Sequence, residues 1–185
     1  MNLTAQEIIF SQNKVAYKRD EQSYKKLFLH FHPLLYRFSY NICKDKSMSE
    51  DVVSDVFMKL WLMEARLASV QDLRLFLMAS IKNATLTSIS ANKHNYSVDM
   101  DEKYDSLLSD NAPNPEQQCI FSEAVKRVNL IVASLPTKCQ MVFRLIKEER
   151  MTYKEVSNIM NISQNTIETH MRIALKKIRS ELRSV

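Results

Sequence analysis

Glycine is absent from all 185 residues, so wherever a helix must end on a left-handed residue, another side chain has to accept that conformation. The demand is sharpest in MTYKEVSNIMNISQNTIETHMR, Met151 to Arg172. Thr152 followed by Glu155 is a capping box, with Met151 and Val156 as its hydrophobic staple, so a helix is expected to start near Tyr153. Val156, Ile159 and Met160 continue its apolar stripe. Asn161 then falls where the left-handed residue is needed, and Asn tolerates that region better than other non-glycine residues. Ser163 can cap a second, longer helix, whose Ile167, Met171, Leu175, Ile178 and Leu182 recur at three- and four-residue spacing. Two capped helices joined by so short a turn form a helix-turn-helix.

Opposite its apolar stripe the second helix carries Gln164, Asn165, Thr166, Glu168, Thr169 and Arg172, followed by Lys176, Lys177, Arg179 and Arg183. Polar side chains near the start of such a helix suit base edges in a major groove, and the later cations suit phosphates. A solvated face on an ordinary bundle is the plainer alternative.

Walking the rest of the chain gives an all-α expectation. Thr4 and Glu7 form a capping box for a short first helix. Tyr24, Leu27, Phe28, Phe31, Leu35, Phe38 and Ile42 trace a helical stripe through Pro33, which is expected to kink or split it. Ser47 with Glu50 is the expected cap of the next helix, whose stripe is Val52, Val53, Val56, Phe57, Leu60 and Trp61. A loop from about Met63 to Gln71 leads to a helix from about Asp72 to Ser90. From Asn92 to Gln118 the pattern fails, and Asp, Asn, Ser and Pro dominate, as in a flexible acidic linker. Beyond Pro115, Ile120, Ala124, Val128, Ile131 and Leu135 restore a stripe. Pro136 opens another helix at its first position, with Cys139, Val142, Phe143 and Ile146 on one face. The organisation is thus two small helical bundles, residues 1–92 and 118–185, joined by a linker over 93–117.

Composition narrows the function classes. No apolar run is long enough to span a bilayer, and MNLTAQEIIF lacks an export signal, so a cytoplasmic protein without membrane insertion is expected. Cys43, Cys119 and Cys139 are far apart and sit in apolar patterns, as small core residues of a reducing compartment do. The four histidines are not spaced with acids or cysteines as a metal or nucleophile site requires, and no phosphate-binding glycine loop exists. No cofactor and no catalytic residue are therefore expected. A net charge of +5 permits a polyanionic partner. A single hairpin makes few base contacts, each worth about 1–3 kcal/mol, so the chain needs a second grip: a dimer, a second DNA module, or docking on something that already holds DNA.

The order of these segments resembles the extracytoplasmic-function sigma factors, the initiation subunits of bacterial RNA polymerase. YKKLFLHFHPLLYRFSYNI is similar to their region 2.1, EDVVSDVFMKLW to region 2.2, LRLFLMASIKNATLTSI to regions 2.3 and 2.4, and SLPTKCQMVFRLIKEERMTYKEVSNIMNISQNTIETHMRIALKKIR to region 4. The wording of region 4 most resembles the iron-citrate-type branch of Bacteroidetes. The resemblance implies an alternative, non-catalytic sigma factor that binds core polymerase and directs initiation at a two-part promoter, assisting its melting. It implies polymerase contacts with the beta-prime clamp helices through Asp51, Ser54, Asp55 and Lys59, and with the beta flap. Ser54 departs from the glutamine usual at its position. The resemblance further implies minus-ten contacts from the Met63–Gln71 loop and from Arg74, Ser80, Lys82, Asn83 and Thr87. Minus-thirty-five contacts are implied for Gln164, Asn165, Thr166, Glu168, Thr169, Arg172 and Lys176. It also implies an anti-sigma partner, expected to be membrane-associated, and a linker that threads toward the polymerase's active-site and RNA-exit channels. Two rivals are an autonomous helix-turn-helix regulator and an enzyme; against the first, the N-terminal half lacks the strand-helix alternation of a receiver domain.

Overall fold

The computed structural model describes residues 3–92 and 115–183. Within them the chain is helical, with no strand. The order is α1 (Ala5–Lys18), α2 (Glu21–Cys43), α3 (Lys46–Leu62), a 3-10 turn (Glu64–Ser69), α4 (Leu73–Asn92), α5 (Pro115–Ala133), α6 (Thr137–Lys147), α7 (Tyr153–Met160) and α8 (Gln164–Arg183). The acidic stretch 93–114, and the side chains of Cys119, Ile120 and Ala124, lie outside the described residues.

The missing glycines are replaced by side chains of several kinds. Left-handed backbone occurs at Arg19, Lys44, Glu64, Arg150 and Asn161, with φ of 51–59°. Asn161 ends α7 as its sequence suggests, while Arg19 and Lys44 end α1 and α2. For residues with a Cβ that conformation costs roughly 1–2 kcal/mol each. At Arg19 something offsets it: the guanidinium donates to the Trp61 carbonyl at 2.6 Å and lies 4.2 Å over the indole ring.

Both capping boxes form, at Thr4–Glu7 and Thr152–Glu155. In each, backbone and side-chain hydrogen bonds from the threonine hold the glutamate carboxyl below the usual carboxylate range. Three expectations need correction. First, of the kink or split expected at Pro33, the split does not occur, because α2 runs unbroken through it. Proline removes the bond to the carbonyl of Leu29, and both residues face solvent, where water can satisfy that carbonyl. Second, the cap of α3 is Asp45, not Ser47: the Asp45 carboxylate accepts from the Met48 amide at 2.9 Å. Lys44 closes α2 in the left-handed region, so Asp45 is the one extended residue between the helices and Ser47 is already inside the first turn. Third, Pro136 stands at the N-cap of α6 rather than at its first helical position.

The loop expected after α3 contains the 3-10 turn. Its anchor is Gln12, a buried α1 residue whose amide donates at 2.7 Å to the carbonyls of both Leu67 and Val70. Leu67 is itself fully buried. Helices α1–α4 pack around Leu27, Phe31, Leu35, Val53, Phe57, Leu60, Leu77 and Ile81, and a buried hydroxyl pair, Ser39 with Thr85 at 2.9 Å, joins α2 to α4.

The second bundle is not separate from the first. The hydrophobic cluster that holds Leu73, Leu77 and Ile81 continues through Met141, Leu145, Met151, Val156, Ile159, Ile167 and Met171. A smaller cluster of Ile131, Val132, Leu135, Cys139, Ala174 and Ile178 ties α5 and α6 to α8. Helix α7 packs on α4, and α6 on α2, with the Gln140 amide donating to the Asn41 carbonyl at 2.9 Å in a buried position.

Candidate nucleic-acid and partner interfaces

Helix α8 is positioned by its cap and its buried stripe. The Ser163 hydroxyl accepts from the Thr166 amide at 3.2 Å, and Ile167, Met171, Ala174 and Ile178 are buried against α5, α6 and α7. What remains outward is the predicted set: Gln164, Asn165, Glu168, Thr169, Arg172 and Lys176 are exposed and Thr166 is half-buried. The Thr169 hydroxyl bends back to the Asn165 carbonyl at 3.0 Å. Alongside runs a cleft of about 590 Å³ lined by Tyr153, Glu168, Arg172, Lys176, Arg179 and Arg183. Four cations against one carboxylate make it a strip that attracts phosphates. Tyr153, from α7, joins this face; the sequence places it only as the first residue of a helix.

Helix α3 presents Asp51, Ser54, Asp55 and Lys59, all exposed, at spacings that share one face. Ser54 also edges an apolar groove of about 630 Å³ between α2 and α3, whose walls include Tyr24, Phe28, Phe57, Met58 and Trp61. Met58 is 61% exposed and Leu62 59%. Inside the groove Tyr24 packs edge-on to Trp61 at 5.0 Å, and Phe28 lies 4.8 Å from Phe57. Sequence periodicity assigns Phe57 and Trp61 to the core and misses the groove. Its only local signal is Met58, an apolar residue off the buried stripe.

Helix α4 does not gather its predicted residues on one surface. At 3.6 residues per turn, Ser80, Asn83 and Thr87 share a face, while Arg74 points to the opposite side and Lys82 to a third. Asn83 and Thr87 are exposed and linked, the Thr87 hydroxyl donating to the Asn83 carbonyl at 3.0 Å; Ser80 is half-buried. Lys82 is only 9% exposed, and burial pushes its ammonium below the ordinary lysine range. Arg74 is engaged elsewhere: its guanidinium donates to the Glu149 carbonyl at 2.8 Å and lies 3.8 Å from the Glu149 carboxylate.

Comparison with known proteins assigns the halves. Residues 27–94 match the family described as Sigma-70 region 2, and residues 126–178 match Sigma-70, region 4. Among curated relatives, the ECF RNA polymerase sigma factor SigM of Bacillus subtilis is 24% identical over 146 residues, covering 79% of this chain and 86% of that protein. The probable RNA polymerase sigma factor RfaY of Xanthomonas campestris pv. campestris is 20% identical over 142 residues, which are 76% of this chain but only 36% of that longer protein. Among solved structures, CnrH in complex with the cytosolic domain of CnrY superposes with a TM-score of 0.67 at 14% identity, over 96% of this chain and 98% of that one. The sigma factor RpoE in complex with the anti-sigma factor NepR from Bartonella quintana gives the same score and identity over 88% and 98%. At that identity the structures speak for the fold, and the two sigma-70 regions, met in order on one chain beside a SigM-like sequence, speak for the family. The chain belongs to the sigma-70 family as a sigma factor of the extracytoplasmic-function type, which directs promoter-specific transcription initiation.

Proposed function

We propose that the chain acts as a non-catalytic subunit in the cytoplasm, with the polymerase supplying all chemistry, and that its division of labour follows residues 1–92, 93–117 and 118–185. In this reading Asp51, Ser54, Asp55 and Lys59 on α3 meet the beta-prime clamp helices, and the second bundle rests on the beta flap. Gln164, Asn165, Thr166, Glu168, Thr169, Arg172 and Lys176 on α8 read the minus-thirty-five element in a major groove. Ser80, Asn83 and Thr87, with the turn after α3, hold the unpaired minus-ten strand. Arg74 joins them only when released from Glu149, and Lys82 supports the surface from behind rather than touching phosphate.

The observation that carries the reading is the outward face of α8, where polar side chains precede a strip of cations along a cleft of about 590 Å³. The acidic linker is expected to thread toward the polymerase's active-site and RNA-exit channels, surfaces that bind polyanions. An anti-sigma partner, membrane-associated in this reading, is supported by RpoE, which is seen in complex with the anti-sigma factor NepR, and by CnrH, seen with the cytosolic domain of CnrY. Among the described residues no helix is long and apolar enough to cross a membrane. Membership of the iron-citrate-type branch of Bacteroidetes is part of this reading, supported by the wording of region 4.

The test is co-migration of the purified chain with core polymerase, against a double charge reversal, Asp51→Lys with Asp55→Lys. The pair is expected to abolish association while leaving the helical circular dichroism spectrum and melting unchanged, since both residues are exposed. Undiminished association of the double variant contradicts the α3 assignment.

A further inference from the structure

The turn between α3 and α4 is long for its kind and weak in itself. It is a 3-10 helix of six residues, and 3-10 hydrogen bonds have poorer geometry than α-helical ones, so runs of this length are uncommon. Its first residue, Glu64, is left-handed at φ 51°, with no glycine to absorb the strain. Leu67 is buried, while Glu64, Ala65, Arg66, Ser69 and the following Gln71 are exposed.

Helix α1 and its left-handed cap brace this turn at both ends. At the start, the Arg19 guanidinium donates to the Trp61 carbonyl at 2.6 Å and lies 3.8 Å from the Glu64 carboxylate. At the end, the Gln12 amide donates to the Leu67 and Val70 carbonyls, each at 2.7 Å. Gln12 is only 5% exposed. Covered carbonyls are costly to leave unpaired, so one side chain, 55 and 58 positions away, supplies what the turn cannot supply for itself. Both braces stand before residue 27, where the match to Sigma-70 region 2 begins.

We infer that Gln12 is a positioning residue for minus-ten recognition: it holds the turn in the shape that receives an unstacked base, with Arg19 as the second brace. This rests on the assignment of the Met63–Gln71 loop to the minus-ten strand. A base drawn out of the stack is read by a shaped pocket, and a pocket formed in only a fraction of molecules binds more weakly by that fraction. Asn83 and Thr87 are carried by α4, which its own buried Leu77 and Ile81 hold in place. What weakens without the brace is therefore the preference for the correct base rather than all binding.

The experiment uses full-length chains. Gln12→Met keeps length and bulk and removes both bonds. Arg19→Lys keeps the charge, shortens the reach of the other brace and, being exposed, leaves folding intact. Val53→Ala, fully buried in α3, lowers stability without removing a hydrogen bond. Each chain is followed by amide hydrogen exchange. Each is also assayed with core polymerase, below the melting temperature of the least stable variant, on one mapped promoter whose minus-ten and minus-thirty-five bases are changed singly. Gln12→Met is expected to exchange faster over residues 63–71 with α8 unchanged, and to lower the preference for the correct minus-ten base about threefold to tenfold. Arg19→Lys should do the same more weakly, and preference at minus thirty-five should hold in both. Unaltered exchange or unaltered minus-ten preference in both brace variants overturns the inference. So does an equal loss at the two elements, or the same loss in Val53→Ala. A double variant on the exposed side of the turn, Arg66→Ala with Gln71→Ala, separates this inference from the assignment beneath it. A minus-ten loss in that variant with none in the brace variants strikes the brace alone; no loss in any of them strikes the loop's contact with the strand, and the brace falls with it.

Discussion

Helices α4 and α8 have the same length and the same expected task, holding DNA, and they treat their sequences differently. In α8 a single narrow stripe, Ile167, Met171, Ala174 and Ile178, is buried, and everything opposite it faces outward. The three helices packed on α8 all meet that one stripe, whereas α2, α3 and α7 together cover about half the circumference of α4, so Leu73, Leu77, Met78, Ile81, Lys82 and Thr85 are all covered. A helix covered on one side keeps the simple rule that polar residues are outside. A helix covered on several sides breaks it, and a polar residue there becomes evidence about packing rather than about a ligand.

Mutations in the two helices are expected to differ accordingly. The largest effect is expected from Leu77→Ala, which removes a fully buried α4 side chain shared by the continuous cluster. Denaturant unfolding should show a loss of about 2–5 kcal/mol, whereas Thr169→Ala on the open face of α8 stays within roughly 0.5 kcal/mol. Next, Arg172→Ala is expected to cost about 1–3 kcal/mol of discrimination between correct and altered minus-thirty-five sequences, measured by competition with duplex DNA, with unchanged melting. Within α4, Lys82→Met should leave binding of the unpaired minus-ten strand within about twofold, while Asn83→Ala lowers it by about 1 kcal/mol. The reverse order would mean that Lys82 swings out to phosphate and that its burial is not the functional state. Smallest is the cap of α3: Asp45→Ala should cost about 1 kcal/mol of stability and Ser47→Ala less than roughly 0.5.

What was legible in the sequence follows the distance over which each feature is decided. The Thr4–Glu7 and Thr152–Glu155 boxes, the left-handed Asn161 and the Ser163 cap are each settled within a few residues, and each is seen. The outward set on α8 follows from one stripe. Other features depend on what the chain meets after folding. The cap of α3 turns on how α2 ends, at a left-handed Lys44 that no local rule anticipates. The unbroken passage through Pro33 depends on that turn facing water. Gln12 bonds to carbonyls 55 and 58 positions away, and Glu149 meets Arg37 across 112; neither partner leaves a mark in local pattern. The apolar groove beside Ser54 is hidden for a related reason, because Phe57 and Trp61 have the spacing of core residues and serve partly as the walls of an open surface. The family resemblance implies which helices are expected to meet the polymerase and DNA, but not that Arg74 is held by a carboxylate of the other bundle.

The central claim, that this chain gives core polymerase its choice of promoter, is tested most directly by transcription from bacterial genomic DNA with purified core polymerase and the chain alone, mapping every RNA 5′ end. Starts are expected only when the chain is present, sharing paired elements near minus ten and minus thirty-five, with Arg172→Ala blurring the upstream element alone. Unchanged start sites with and without the chain, while it binds duplex DNA equally well in the absence of polymerase, would contradict it and point to an autonomous DNA-binding regulator.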